Sequence, residues 1–278
     1  MLKFGVFDHL DGDGQSLGAL LETRLRLVEL IEKAGFAGYH LAEHHSTPLG
    51  MASSPSVFLA AAFARTTKLR LGPLVYVLPL YHPLRLYEEI CMLDHLSGGR
   101  LTVGVGRGGA LLEHQRYGID PANAPAMYHE AFAVLMQAFA RDVLDFDGKF
   151  YSYKDYVVQA KPVQRPHPPI LVGGRSAATL RVAAEHAGLW NAPGGDIADG
   201  VRRGALLDRY CADIGRDPAS IVRSIHLPVD TGRPDAVRSA VGEALEAGFR
   251  HVVLGLPAPF PEGVARWVAE EVIRPSVG

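Results

Sequence analysis

PILVGGRSAATLRVAAEHAGLW, residues 169–190, holds the pattern that decides the fold. Pro169–Val172 is a short apolar run after a proline-rich approach, which reads as a buried strand. Gly173 and Gly174 let the backbone turn and approach a neighbour closely. Ser176 is placed to cap a helix over Ala177–His186, and Leu189-Trp190 opens the next strand. Strand, glycine turn, capped helix and strand in that order is a βαβ unit.

The same alternation runs outward in both directions. Upstream, strands are predicted at Phe4–Phe7, Gly38–Leu41, Leu69–Val77 and Leu101–Val105. Helices are predicted at Leu17–Gly35, Ser54–Arg65, Pro83–His95 and Met127–Arg141. Gly72-Pro73 lies inside the third strand, where proline cannot donate to a ladder, so a bulge or kink is expected. Lys149–Lys161 reads as a surface β excursion. Downstream come helices at Asp199–Ile214, Asp235–Ala247 and Val264–Ile273, with strands at Ile221–Val229 and His251–Leu254. Roughly eight strand–helix units in strict alternation imply a parallel sheet. A (β/α)8 TIM barrel takes about 250 residues, and the 278 residues here are expected to form one such α/β domain over 1–278. An open doubly wound sheet satisfies the same alternation and remains the alternative.

Composition narrows the function classes. The chain is 48% hydrophobic and 21% charged with a formal net charge of -2, as expected of a folded globular protein. A pI near 6.6 argues against a nucleic-acid partner. Cys91 and Cys211 make no disulfide framework, which suits a reducing, cytoplasmic setting. The N-terminal residues lack the apolar region of a signal peptide. The longest uncharged apolar stretch, 71–81, is too short to span a bilayer and contains Pro73 and Pro79, so no membrane association is expected.

Three stretches carry the chemistry. Glu43-His44-His45 directly follows the second strand, and the C-terminal ends of barrel strands are where active sites sit. An acid beside two imidazoles suits proton transfer near neutral pH. No metal-ligand spacing accompanies it, so no metal is expected, and the bland alternative is one satisfied and one exposed histidine. Gly104–Gly109 formally satisfies G-x-G-x-x-G, but Gly118, Pro121 and Pro125 interrupt the helix a dinucleotide site requires. A glycine-lined strand end approached by something flat is the better reading. Gly173-Gly174-Arg175-Ser176, with Thr179, combines close backbone approach, a positive charge and a helix N-terminus, which makes a phosphate seat. His82-Pro83 shapes a loop over the barrel mouth, and Tyr128 and His129 lie at a helix start on the same rim or on a solvated helix end.

Taken in order, LAEHH (41–45), LGPLVYVLPLYHPLR (71–85), LDHLSGGR (93–100), TVGVGRG (102–108) and KPVQRPHPPILVGG (161–174) resemble the bacterial luciferase-like flavin-dependent monooxygenases. The late segment 215–256 is similar to that family's C-terminal part. The resemblance covers nearly the whole chain. It implies a barrel that binds reduced FMN at its C-terminal mouth, where flavin and O2 form a C4a-peroxyflavin that oxygenates a small organic substrate. It implies His44 as catalytic acid/base with Glu43 and His45 around it. It places Leu74 and Val75, in relatives sometimes joined by a non-prolyl cis peptide, under the isoalloxazine ring, with Gly106 beside it. Arg107 and the segment with Gly173, Gly174, Arg175, Ser176 and Thr179 match the flavin-phosphate region.

The chain departs from the pattern in places. Light-emitting members carry a cysteine where Gly106 stands, so more room over the flavin and no light emission are expected. A second phosphate-binding arginine is missing from Ala124–Tyr128, so looser retention of a flavin that arrives already reduced is expected, with Arg175 as a substitute. The chain is also shorter than light-emitting members, so no long lid loop is expected. The resemblance further implies a two-component system with a separate flavin reductase, and a homodimer. Two alternatives stay open: an F420-dependent oxidoreductase of the same fold, and a non-catalytic flavin-binding protein.

Overall fold

In the computed structural model, residues 3–47, 49–256, 260 and 263–277 are described. The first half of the chain alternates strand β1 (Lys3–Asp8), helix α1 (Leu17–Lys33), β2 (Gly38–Leu41), α2 (Pro55–Arg65), β3 (Arg70–Pro73), β4 (Tyr76–Val77), α3 (Pro83–Leu96) and β5 (Val103–Gly106). An excursion follows: α4 (Leu111–Arg116), α5 (Ala124–Ala140) and the strands β6 (Val143–Asp147) and β7 (Ser152–Val157). Alternation then resumes with β8 (Ile170–Gly173), α6 (Ala177–His186), β9 (Leu189–Ala192), α7 (Ile197–Asp213), β10 (Val222–Pro228), α8 (Pro234–Glu246), β11 (His251–Gly255) and α9 (Val264–Val268).

Nine strands form one sheet in the order β3-β2-β1-β11-β10-β9-β8-β5-β4, and every ladder in it is parallel. A parallel bridge between Leu71 and Leu101 joins β3 to the approach of β5 and brings the two ends of the sheet together. β3 and β4 are successive halves of the third barrel strand, so the nearly closed sheet is a TIM barrel rather than an open doubly wound sheet. Its short strands are buried between barrel interior and helices, and much of that surface is apolar. Val6, Leu41, Val103, Val105, Leu171, Val172 and Val252 are all fully buried.

The break in the third strand falls where Gly72-Pro73 pointed. β3 forms its ladder with β2, β4 forms its ladder with β5, and the Leu74–Val75 peptide between them is cis. The strands touch closely here: a Cβ at Gly72 would lie 1.9 Å from the Thr102 carbonyl oxygen, and one at Gly104 would lie 1.9 Å from that of Pro73. Two of the resemblance motifs fasten the barrel's outside. Asp94 accepts from the Gln164 backbone N–H (2.8 Å) and side chain (2.6 Å), and Arg100 donates to the carbonyls of Phe63, Thr66 and Leu69. The surface β excursion is a two-stranded antiparallel hairpin, β6 with β7, whose first strand begins before the stretch the sequence marked.

Candidate active site

At the C-terminal ends of the strands opens a cavity of about 640 Å3. All nine residues that sequence matching assigns to the cofactor line it: Leu74, Val75, Gly106, Arg107, Gly173, Gly174, Arg175, Ser176 and Thr179. They come from β4's approach, β5, β8 and the start of α6, which the parallel topology brings side by side. Val75 fills the space next to the glycines. A Cβ at Gly106 would lie 2.4 Å from Val75 Cγ2, and one at Gly173 would lie 2.9 Å from Val75 Cγ1. A side chain at Gly106 would therefore meet Val75, which packs against this strand end.

One end of the cavity is built for an anion. Ser176 caps α6, accepting from the Thr179 backbone N–H at 3.1 Å and lying 2.8 Å from the Thr179 hydroxyl. The remaining N–H groups of the first turn carry the helix's positive end. Gly174 takes φ +135°, a conformation closed to other residues, and so brings its backbone close to Thr179. Among the described residues, the Arg107 and Arg175 guanidiniums have no ion-pair or hydrogen-bond partner, which leaves both charges for a ligand. Arg203 of α7 also lines the cavity, with Asp199 3.4 Å away. It reaches the cavity from α7, well beyond the Ala124–Tyr128 stretch in the chain. Trp190, fully buried, donates from Nε1 to the Gly174 carbonyl at 2.8 Å and so abuts this end.

Glu43, His44 and His45 divide into two networks. His44 Nδ1 lies 3.0 Å from Glu113 Oε1, and the same oxygen accepts the His45 backbone N–H at 3.1 Å. Glu113 is 4% exposed and His44 29%, so a buried carboxylate holds one edge of an imidazole whose other edge is accessible. Glu43 does not contact His44. Its Oε1 lies 2.8 Å from His45 Nε2, while its Oε2 accepts from the Val77 N–H (3.0 Å) and the Tyr81 hydroxyl (2.9 Å). His45 Nδ1 is 2.8 Å from the Tyr117 hydroxyl. This second network is buried at Glu43 and His45, ends at the exposed Tyr117, and joins the end of β2 to β4 and α4. Burial, then the Glu43 charge, pushes the Tyr81 phenol far above its usual range, so it stays a donor.

None of the three lines the cavity directly. His44 stands two rings from its wall: its ring is 5.5 Å from that of His9, which lies 4.7 Å from that of Phe7, a lining residue. His226 lines the cavity beside Phe7, at 4.9 Å between rings. Burial, and then His9, pushes the His226 imidazole down to about 4, so it is neutral at pH 7. His9 is lowered in the same direction, chiefly by burial. Glu113, Tyr117, His9, His226 and Arg203 escaped the sequence reading. The only signal for Glu113 was its place just past the glycine-rich strand end. Tyr128 is buried in α5 and lies outside the cavity. Among the described residues, no group of three or more His, Cys, Asp or Glu side chains is placed to hold a metal.

The family model described as luciferase-like monooxygenase matches residues 2–271. An uncharacterised protein of Sinorhizobium fredii, y4wF, is 40% identical over 255 residues, covering 92% of this chain. This chain spans 66% of that relative's length. The crystal structure of monooxygenase RslO1 from Streptomyces bottropensis superposes with a TM-score of 0.88 at 25% identity, covering 98% of this chain and 99% of that one. Two further structures share the fold alone. The FMN complex of the oxygenating constituent of 3,6-diketocamphane monooxygenase from Pseudomonas putida gives 0.83 at 16% identity, each chain covered to 98%. An F420-dependent secondary alcohol dehydrogenase gives 0.82 at 17%, covering 100% of this chain and 99% of that one. The chain belongs to the luciferase-like monooxygenase family, whose fold carries both flavin-dependent monooxygenases and F420-dependent enzymes.

Proposed function

We propose that the chain is the oxygenase of a two-component system: it takes reduced FMN from a separate flavin reductase and uses O2 to oxygenate a small organic substrate. The observation that carries this reading is the cavity, which is lined at one part by Leu74, Val75 and Gly106 and at another by the basic and helix-start residues Arg107, Arg175, Ser176 and Thr179. That order of surfaces fits a flat ring joined to a phosphate. Bound reduced flavin supplies the two electrons that leave one oxygen atom of O2 in the substrate and one in water.

The chain's own residues do the rest. The Ser176–Thr179 turn and the two unpaired guanidiniums orient the phosphate. Glu113 fixes His44 with the Nδ1 proton directed to the carboxylate, which leaves Nε2 to hold or deliver a proton at the mouth. Glu43 and His45 keep the strand ends in register, so they act on the site through the backbone. A homodimer belongs to the same proposal; Val57 on α2 and Met92 and Leu96 on α3 expose 72%, 64% and 65% of their surface, a face that a second copy would cover. The buried free thiols Cys91 and Cys211 fit a cytoplasmic setting.

A deazaflavin offers the same flat ring and phosphate, so F420 is the competing cofactor. Titrating FMN, photoreduced FMN and F420 against Trp190 fluorescence separates them. Tighter binding of reduced FMN, with label from 18O2 appearing in an added substrate, supports the oxygenase. Tighter binding of F420, with no label transferred, replaces that reading by hydride transfer. Flavin binding with neither reaction reduces the protein to a carrier.

A further inference from the structure

One buried polar row of the barrel is not explained by the phosphate seat or by the histidines at the mouth. Asn191, Ser224 and His251 stand on the adjacent strands β9, β10 and β11, directly opposite one another in the ladders. They are 3%, 0% and 4% exposed. Ser224 Oγ lies 2.9 Å from Asn191 Oδ1 and 2.9 Å from His251 Nδ1. A hydroxyl has one proton. Given to Asn191 Oδ1, it leaves Ser224 Oγ as acceptor, and the opposite partner must donate: His251 Nδ1–H. Burial, then Lys3, pushes His251 down to about 4, so its ring is neutral and has a single proton to place.

In the structure the Asn191 oxygen is turned to Ser224, so its two N–H bonds are left over. No described residue accepts from Asn191 Nδ2, and Asn191 lines the cofactor cavity. It pairs in register with Gly173, which itself faces Val75 and Leu74, so the amide stands at the Leu74–Val75 end. Asn191 Nδ2 is not one of the buried unpaired atoms, so it opens to the cavity, where a ligand acceptor can take its hydrogen bond.

We infer that Asn191 donates a hydrogen bond to an acceptor on the ring system of the bound cofactor, a carbonyl oxygen or ring nitrogen, and that Ser224 and His251 are positioning residues that hold its amide in the donating orientation. The inference rests on the flavin or deazaflavin reading above. The chain of contacts runs Asn191–Ser224–His251 and ends beside the His40 ring, 5.2 Å away, at the opposite end of the barrel. The cofactor's hydrogen bond is thus anchored in the barrel floor rather than in a mobile loop.

The test is a binding series on the full chain with FMN, riboflavin and inorganic phosphate, read by Trp190 fluorescence and the bound flavin's absorption bands. Ser224→Ala and Asn191→Asp are each expected to weaken FMN and riboflavin by the same factor, about tenfold. Phosphate binding stays as in the wild type. Asn191→Asp keeps the shape and replaces donor by acceptor, so it also shifts the bound flavin's bands. Ser224→Thr, which keeps the hydroxyl, restores wild-type affinity. If Ser224→Ala does not fold, Asn191→Asp and Ser224→Thr carry the comparison. Wild-type affinity in Asn191→Asp, or loss of FMN affinity with riboflavin unchanged, overturns the inference while leaving the function standing. Wild-type protein that binds neither FMN nor F420 overturns both.

Discussion

At the scale of single residues, the two acids near the paired histidines do different work because of what else each touches. Glu113 has one oxygen committed to His44 and the His45 backbone, so the His44 ring is held by an ionic hydrogen bond. Glu43 has both oxygens committed elsewhere. His44→Ala is therefore expected to lower oxygenation by about 10²- to 10⁴-fold with flavin affinity little changed. Glu113→Gln, still able to accept, is expected to cost about tenfold and to shift the pH profile of kcat; an unchanged profile would show that Glu113 does not set the His44 proton. Ser176→Asp places a charge on the phosphate seat, and it is expected to weaken FMN about tenfold or more while sparing riboflavin. Equal loss of the two ligands would move the phosphate elsewhere. The seat was legible in the sequence because strand, glycines, cap and helix are contiguous there. Glu113 was not, because it meets His44 only once the barrel has closed.

At the scale of elements, the third strand governs the mouth. Gly72-Pro73 announced a disturbance in the sequence, and its form is a strand in two halves that pair with different neighbours. Glu43 then binds the second half through the Val77 N–H, which ties β2 to β4 without a ladder. Removing it strands a buried N–H, a hydroxyl and an imidazole together. Glu43→Leu is expected to destabilise the fold by about 3 kcal/mol or more, measured by denaturant unfolding. A loss below 1 kcal/mol would mean water replaces the carboxylate; this threshold is about the net worth of one ordinary hydrogen bond. Gly72→Ala presses a methyl group into a carbonyl and should cost about 3 kcal/mol by the same measurement; a neutral effect would mean that β3 and β5 can separate freely. The short helix α4 was not legible, since six residues are too few to show a period. The hairpin was legible only around its second strand, where Tyr151, Tyr153, Tyr156, Val157 and Val158 make a stretch rich in β-favouring residues.

At the scale of the molecule, alternation of strands and helices was enough to specify a parallel sheet, and its closure into a barrel is what the structure adds through the Leu71–Leu101 bridge. What alternation could not show is the polar content of the interior. His9, His40, His186, His226 and His251 are all shifted down, each chiefly by burial. A histidine lowered in the fold binds fewer protons folded than unfolded, so its contribution is complete above its ordinary value and is lost as pH falls toward the folded value. For His251, lowered from 6.5 to about 4, that difference is about 3 kcal/mol. Tm is therefore expected to fall steadily as pH drops from 6.5 to 4. A flat Tm across that window would mean the barrel floor admits water.

The central claim, that the cavity at the C-terminal mouth seats a phosphate-bearing flavin, is tested most directly by a crystal structure with FMN bound. The account predicts the phosphate against Ser176, Thr179, Arg107 and Arg175, with the ring across Leu74–Val75 and Gly106. A flavin held at the opposite end of the barrel, where Lys3, Arg70 and Arg250 line a second cavity of about 690 Å3, would contradict it.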